Sequence, residues 1–165
     1  AVLFGDDIID AKTPGIAQLM ATHAATGSSV IAVTEVSRAD VHRYGVIGGK
    51  RKSATTYAIE RFVEKPTTKK APSRLAVIGR YVLTPAVMDI LRHQTPGKDG
   101  ELRLADAFIT ALARHEPLTA RILEGTRYDC GNKLGFLQAN IAFGLKRPEL
   151  RKDLKKFLKH VTSNA

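Results

Sequence analysis

Strand-length runs of β-branched and apolar residues alternate with segments of helical periodicity along this chain, and the alternation constrains its fold more than any single motif. Pro14 to Ala25 carries Ile16, Leu19, Met20 and His23 on one face and meets a stop at Gly27, which predicts a helix. Ser29 to Val36 then reads as a β-branched strand. Tyr44 to Gly48 and Tyr57 to Glu64 read as two more, joined by a polar stretch bearing glycine and lysine that suits a hairpin. Pro66 closes the second of these, because proline cannot donate to the ladder and restricts the residue before it. Beyond a basic surface loop from Thr67 to Ser73, Leu75 to Leu83 predicts a strand and Pro85 to Arg92 a helix. A loop over Gln94 to Gly100 leads to a helix over Arg103 to His115 and a strand over Thr119 to Leu123. Asn132 to Gly144 predicts a further helix, and Pro148 opens the last. The class is therefore α/β, and no repeat or linker divides residues 1–165 into two domains.

The first residues, Ala1-Val2-Leu3-Phe4, meet Gly5-Asp6-Asp7 with no preceding turn or cap. Such a run ended by Gly-Asp reads as a central strand of a parallel sheet, whose carboxyl end carries ligand-binding residues. A central strand needs neighbours on both sides, so the abrupt start leads us to expect that the chain is a piece of a longer one.

A formal charge of +10 is the bulk number that bears on function, since it favours phosphates or nucleic acid as partners. Half of that excess lies between Lys146 and His160, where seven Lys and Arg face only Glu149 and Asp153. Leu150, Leu154, Phe157 and Leu158 recur there at three- and four-residue spacing, the pattern of an amphipathic helix with a solvated basic face. No aromatic stacking platform accompanies the charges, so no nucleic-acid partner is expected. The helix's apolar stripe would pack on its own domain or on a second subunit. No apolar run approaches the roughly 18 to 20 residues that span a bilayer, and no signal-peptide pattern opens the chain, so a cytoplasmic protein without a membrane partner is expected. The single cysteine, Cys130, excludes an internal disulfide and any site built on several thiolates.

Three short segments could carry chemistry. Asp6 and Asp7 stand where a strand should end, and hard cations such as magnesium take carboxylate oxygens together with substrate phosphates; a turn former or helix cap reads as well from the same residues. Tyr128-Asp129-Cys130-Gly131-Asn132 places a second carboxylate near a helix start, where Asp129 would share a metal or simply form a turn with Asn132 as cap. Glu64-Lys65 sets an acid beside a base at a strand end, able to bind sugar hydroxyls and a phosphate or to form an exposed ion pair. The five histidines show no metal-ligand spacing and no triad arrangement, and glycine-rich loops of the Walker or dinucleotide type are absent from the sequence.

Taken in order, these segments resemble the successive signatures of bacterial glucose-1-phosphate uridylyltransferases. They are Gly5-Asp6-Asp7, Arg43-Tyr44-Gly45-Val46-Ile47, Phe62-Val63-Glu64-Lys65-Pro66, the run from Ala71 to Leu83, Gly100-Glu101-Leu102-Arg103-Leu104-Ala105-Asp106-Ala107, and Tyr128 to Gly135. The resemblance runs from Ala1 to about Lys159.

It implies a nucleotide-diphospho-sugar transferase fold, a mixed and mainly parallel sheet wrapped by helices. It further implies transfer of uridylyl from UTP to glucose 1-phosphate, giving UDP-glucose and pyrophosphate; a thymidylyl or other nucleotidyl transfer is the alternative within the fold, and a basic nucleic-acid or partner-binding module, which the charge permits but no motif supports, is the alternative outside it. Carried over by position, Asp6 and Asp129 would hold magnesium, Glu64 would bind glucose hydroxyls, and Lys65 would contact the sugar phosphate. Gly45 and Gly79 would let backbone approach the sugar closely, while Asp7 matches a more variable position and receives no role. Gly5 stands where the family often has proline, and Arg103 and Ala105 stand where glutamine and threonine are usual. The family's opening strand and nucleotide-gripping glycine-rich loop have no counterpart in these residues, so about a hundred or more residues are expected to be missing and the chain is expected to be inactive alone.

Overall fold

The computed structural model describes residues 1–97 and 100–163. The helix signals around α1 (Gly15–Thr26) act as expected. Pro14 precedes its first turn, and Gly27 ends it in the left-handed region at φ 66°, donating its N–H to the His23 carbonyl at 2.7 Å. The other long segments form β3 (Ser29–Glu35), β4 (Gly45–Arg51), β5 (Thr56–Glu64), β6 (Leu75–Val82) and β7 (Leu118–Ile122). They also form α2 (Pro85–His93), α3 (Leu104–Ala113), α4 (Lys133–Lys146) and α5 (Pro148–Ser163). The loop expected over Gln94 to Gly100 lies partly outside the described residues, at positions 98 and 99.

Two four-residue strands, β2 (Asp7–Asp10) and β8 (Thr126–Asp129), and the two-residue β1 (Val2–Leu3) complete the set. The first two have no counterpart in the sequence expectation, because four residues are too few for period-two alternation to stand out. They pair with each other as a separate antiparallel sheet, Asp7 opposite Asp129 and Ile9 opposite Arg127.

The main sheet has the order β1-β6-β3-β7-β5-β4, with a further β6–β4 pairing. It is mixed, as expected of the α/β class, but its parallel share is smaller than the resemblance implies. Among the described residues β3–β7 is the parallel pair, and the other pairings are antiparallel. One connection accounts for part of this: β4 and β5 form the expected hairpin, whose two strands must run antiparallel. The opening run is also corrected. β1 is an edge strand antiparallel to β6, Val2 opposite Tyr81, with Leu3 and Phe4 half exposed. An apolar run by itself specifies neither strand direction nor position in a sheet.

β3 organises the interior because it is buried on both faces, and alternation divides its side chains between two clusters. Ile31 and Val33 point toward α2 and α3, packing with Ile47, Phe62, Tyr81, Val87 and Phe108. Val30 and Ala32 point toward α1 and meet Leu19, Ile78 and Val82. The basic helix α5 packs on α4, where Leu154 fits against Gly144, yet none of its residues is buried. Leu150, Phe157 and Val161 remain exposed.

Candidate functional site

Strand register sets the floor of a cavity of about 460 Å³ at one end of the sheet. Gly45 lies opposite Glu64 in the β4–β5 hairpin, and a Cβ at Gly45 would stand 2.9 Å from Glu64 Oε2 and 2.7 Å from the Phe62 ring. Gly79, on β6, is equally confined: its Cβ would lie 2.9 Å from Asp7 Oδ2 and 2.5 Å from Phe4 Cβ. A side chain at either position would force a neighbour to move, so backbone forms the cavity surface there.

The β2–β8 ladder brings the carboxylates together. Cys130 donates its N–H to the Asp6 carbonyl at 2.7 Å, extending that ladder past its last pair. Asp6 Oδ2 and Asp129 Oδ1 both face Gly131, at 3.0 and 3.2 Å from where its Cβ would stand. No group of three or more His, Cys, Asp or Glu placed to share an ion occurs among the described residues, so these two carboxylates stand as a pair. Hard oxygen donors with no third side chain fit magnesium, which keeps waters and takes substrate phosphate oxygens. The turn roles read from the sequence hold as well: Asn132 caps α4 by accepting the Gly135 N–H at 2.7 Å, and Asp129 Oδ1 accepts the Gly131 N–H at 3.2 Å.

Asp6, Gly45, Glu64, Gly79 and Asp129 all line the one cavity. Lys65 does not. Its backbone sits at φ 44°, unusual for a residue with a side chain, and its exposed side chain lies outside the lining. Pro66 follows immediately, and the bend it accompanies separates the acid from the base. Arg103 and Ala105, the two departures near the start of α3, line the same cavity, with Arg103 paired to Glu101 at 3.1 Å.

Five cavity residues to which the sequence assigns no role are made prominent by the structure: Asp7, Arg43, Tyr44, Tyr81 and Arg127. Asp7 is 7% exposed and accepts the Gly79 N–H at 2.8 Å while binding Arg127 Nε. Arg127 lies 3.9 Å from Asp129 Oδ2 and 5.5 Å from the Tyr44 ring centroid, a cation–π distance. Burial works to lower its pKa, but hydrogen bonds to Asp7 and Tyr44 and the Asp7 charge outweigh it and raise the value. Arg43 approaches the same carboxylate and the same ring, at 3.9 and 5.6 Å. The signal for Arg127 was available: residues two apart on a strand share a face, which sets it beside Asp129. Burial, reinforced by the charges of Asp7 and Glu64, pushes the Tyr81 phenol above its ordinary pKa.

A backbone-floored cavity lined by paired carboxylates and arginines has the donors and charges that suit a phosphorylated ligand with a metal ion. The chain belongs to the nucleotidyl transferase family, whose model matches residues 1–144. Within that family it is similar to the UTP–glucose-1-phosphate uridylyltransferase of Staphylococcus epidermidis, 48% identical over 161 residues. The Staphylococcus haemolyticus protein of the same name is 45% identical over 161 residues. The matches cover 98% of this chain and 56% of each relative, so the chain spans little more than half their length. Among solved structures it resembles a UDP-glucose pyrophosphorylase complexed with UDP-glucose, with a TM-score of 0.79 and 38% identity over 88% of this chain and 55% of that one. A UTP-bound enzyme from Acinetobacter baumannii gives 0.81 and 31%, covering 94% and 54%. No helix among the described residues is long and apolar enough to cross a membrane.

Proposed function

We propose that the complete protein transfers the uridylyl group of UTP to glucose 1-phosphate, and that this chain supplies the sugar-phosphate and metal side of the nucleotidyltransferase domain. The observation that carries the reading is the convergence of Asp6, Asp129, Gly45, Glu64 and Gly79 on one cavity, from five separate stretches of sequence. A phosphate oxygen of glucose 1-phosphate attacks the α-phosphorus of UTP; the bond from that phosphorus to the bridging oxygen breaks, and pyrophosphate leaves with the electron pair. No protein nucleophile is needed, so the chain's task is alignment and charge neutralisation.

Glu64 accepts hydrogen bonds from glucose hydroxyls above the backbone at Gly45 and Gly79. Asp6 and Asp129 would hold magnesium, which when bound supplies positive charge to the reacting phosphates. Lys65, outside the cavity lining, would contact the sugar phosphate only once its side chain turns toward bound substrate. The phosphorylated substrates imply a cytoplasmic setting, and the exposed stripe on α5 is available to a second subunit. The test is turnover by the complete polypeptide with UTP, glucose 1-phosphate and magnesium, read as UDP-glucose formed. Equal or better turnover with dTTP would replace uridylyl by thymidylyl transfer.

A further inference from the structure

We infer that Arg43 is a ligand of the sugar phosphate, an inference that rests on the reading above and adds a residue to it. A phosphate bound in this cavity calls for a cation, and Lys65 is outside the lining. Of the cavity arginines, Arg127 is committed to Asp7, and Arg103 is paired to Glu101 at 3.1 Å. Arg43 is held loosely. Its ion pairs to Asp40 and Asp129 are 3.8 and 3.9 Å long, beyond hydrogen-bonding distance, and its side chain is 46% exposed.

Its place is the right one. Arg43 ends the 3₁₀ turn Val41–Arg43, two residues before Gly45, whose Cα faces the Glu64 carboxylate. On its other side lies Asp129. A ligand with hydroxyls at Glu64 and a phosphate reaching toward Asp6 and Asp129 therefore passes beside the guanidinium. The Tyr44 ring, 5.6 Å from Arg43 and 5.5 Å from Arg127, keeps the two like charges on a shared aromatic surface. A planar guanidinium offers paired donors to phosphate oxygens, and a phosphate at bonding distance outcompetes an ion pair as long as that to Asp129.

The experiment uses the complete polypeptide with Arg43→Gln and Arg43→Lys, varying glucose 1-phosphate and UTP separately. Loss of one charge-assisted contact should raise the KM for glucose 1-phosphate about tenfold or more in Arg43→Gln, leave that for UTP within about twofold, and be partly restored in Arg43→Lys. Inorganic phosphate should compete with glucose 1-phosphate more weakly in Arg43→Gln than in the parent. An unchanged KM for glucose 1-phosphate, an equal rise for both substrates, or a fall in kcat alone would overturn the assignment. A parent that makes no nucleotide sugar defeats the proposed function instead, so the two failures are distinct.

Discussion

Asp7 accepts the backbone N–H of Gly79 at 2.8 Å, tying the two-stranded sheet to a strand of the main sheet. The other oxygen of the same carboxylate binds Arg127, and the Arg80 guanidinium reaches the Asp7 carbonyl. Asp7 thus joins the carboxylate end of the cavity to its backbone floor.

Replacing Asp7 by alanine would leave the Gly79 amide and the Arg127 guanidinium without their shared acceptor. Breaking a partly buried pair of this kind should cost about 3 kcal/mol. Urea unfolding of Asp7→Ala against the parent checks this; a loss below about 0.5 kcal/mol would mean that solvent satisfies both groups as well as Asp7 does.

Asp6→Ala and Asp129→Asn should each remove nucleotide-sugar formation in the complete protein while far-ultraviolet circular dichroism is retained. Manganese titration followed by electron paramagnetic resonance provides a reading independent of turnover. Both variants should bind the ion at least about tenfold more weakly, as loss of one of two charged ligands requires. Parent-like manganese affinity in both would place the ion elsewhere.

Gly45→Ala brings a methyl group to 2.7 Å from the Phe62 ring and 2.9 Å from Glu64 Oε2. Something must shift, and the Glu64 side chain is the more exposed of the two. The KM for glucose 1-phosphate should rise about tenfold with the KM for UTP nearly unchanged, the pattern of a lost ground-state contact. A parent-like value would mean that Phe62 yields and Glu64 stays.

Tyr81 gives the fold an alkaline limit. Its pKa is raised in the folded protein by burial first and then by Asp7 and Glu64, so the folded state holds its proton at pH values where the unfolded chain has released it. The contribution is present below the unfolded value of about 10 and declines as pH rises above it, by up to about 1.4 kcal/mol per pH unit. Tyr81→Phe should lose stability less steeply than the parent between about pH 10 and 11 in equilibrium unfolding. Parallel curves would show that the phenol is not what titrates.

By itself the sequence determined the α/β class, every helix and each main strand of five or more residues, because those elements carry enough periods of alternation, proline starts and glycine stops to be read locally. It also pointed to Asp6, Gly45, Glu64, Gly79 and Asp129, through the order of short motifs. Only the tertiary structure decided how they meet. The β2–β8 ladder that sets Asp7 opposite Asp129 is four residues long on each side, and its partners lie more than a hundred positions apart. Strand direction, the edge position of Val2–Leu3 and the placing of Lys65 outside the cavity lining likewise depend on neighbours distant in sequence. Local patterning records which residues can be buried; which buried residues touch is settled by long-range pairing, and Asp7, Arg127 and Arg43 acquire their roles at that level.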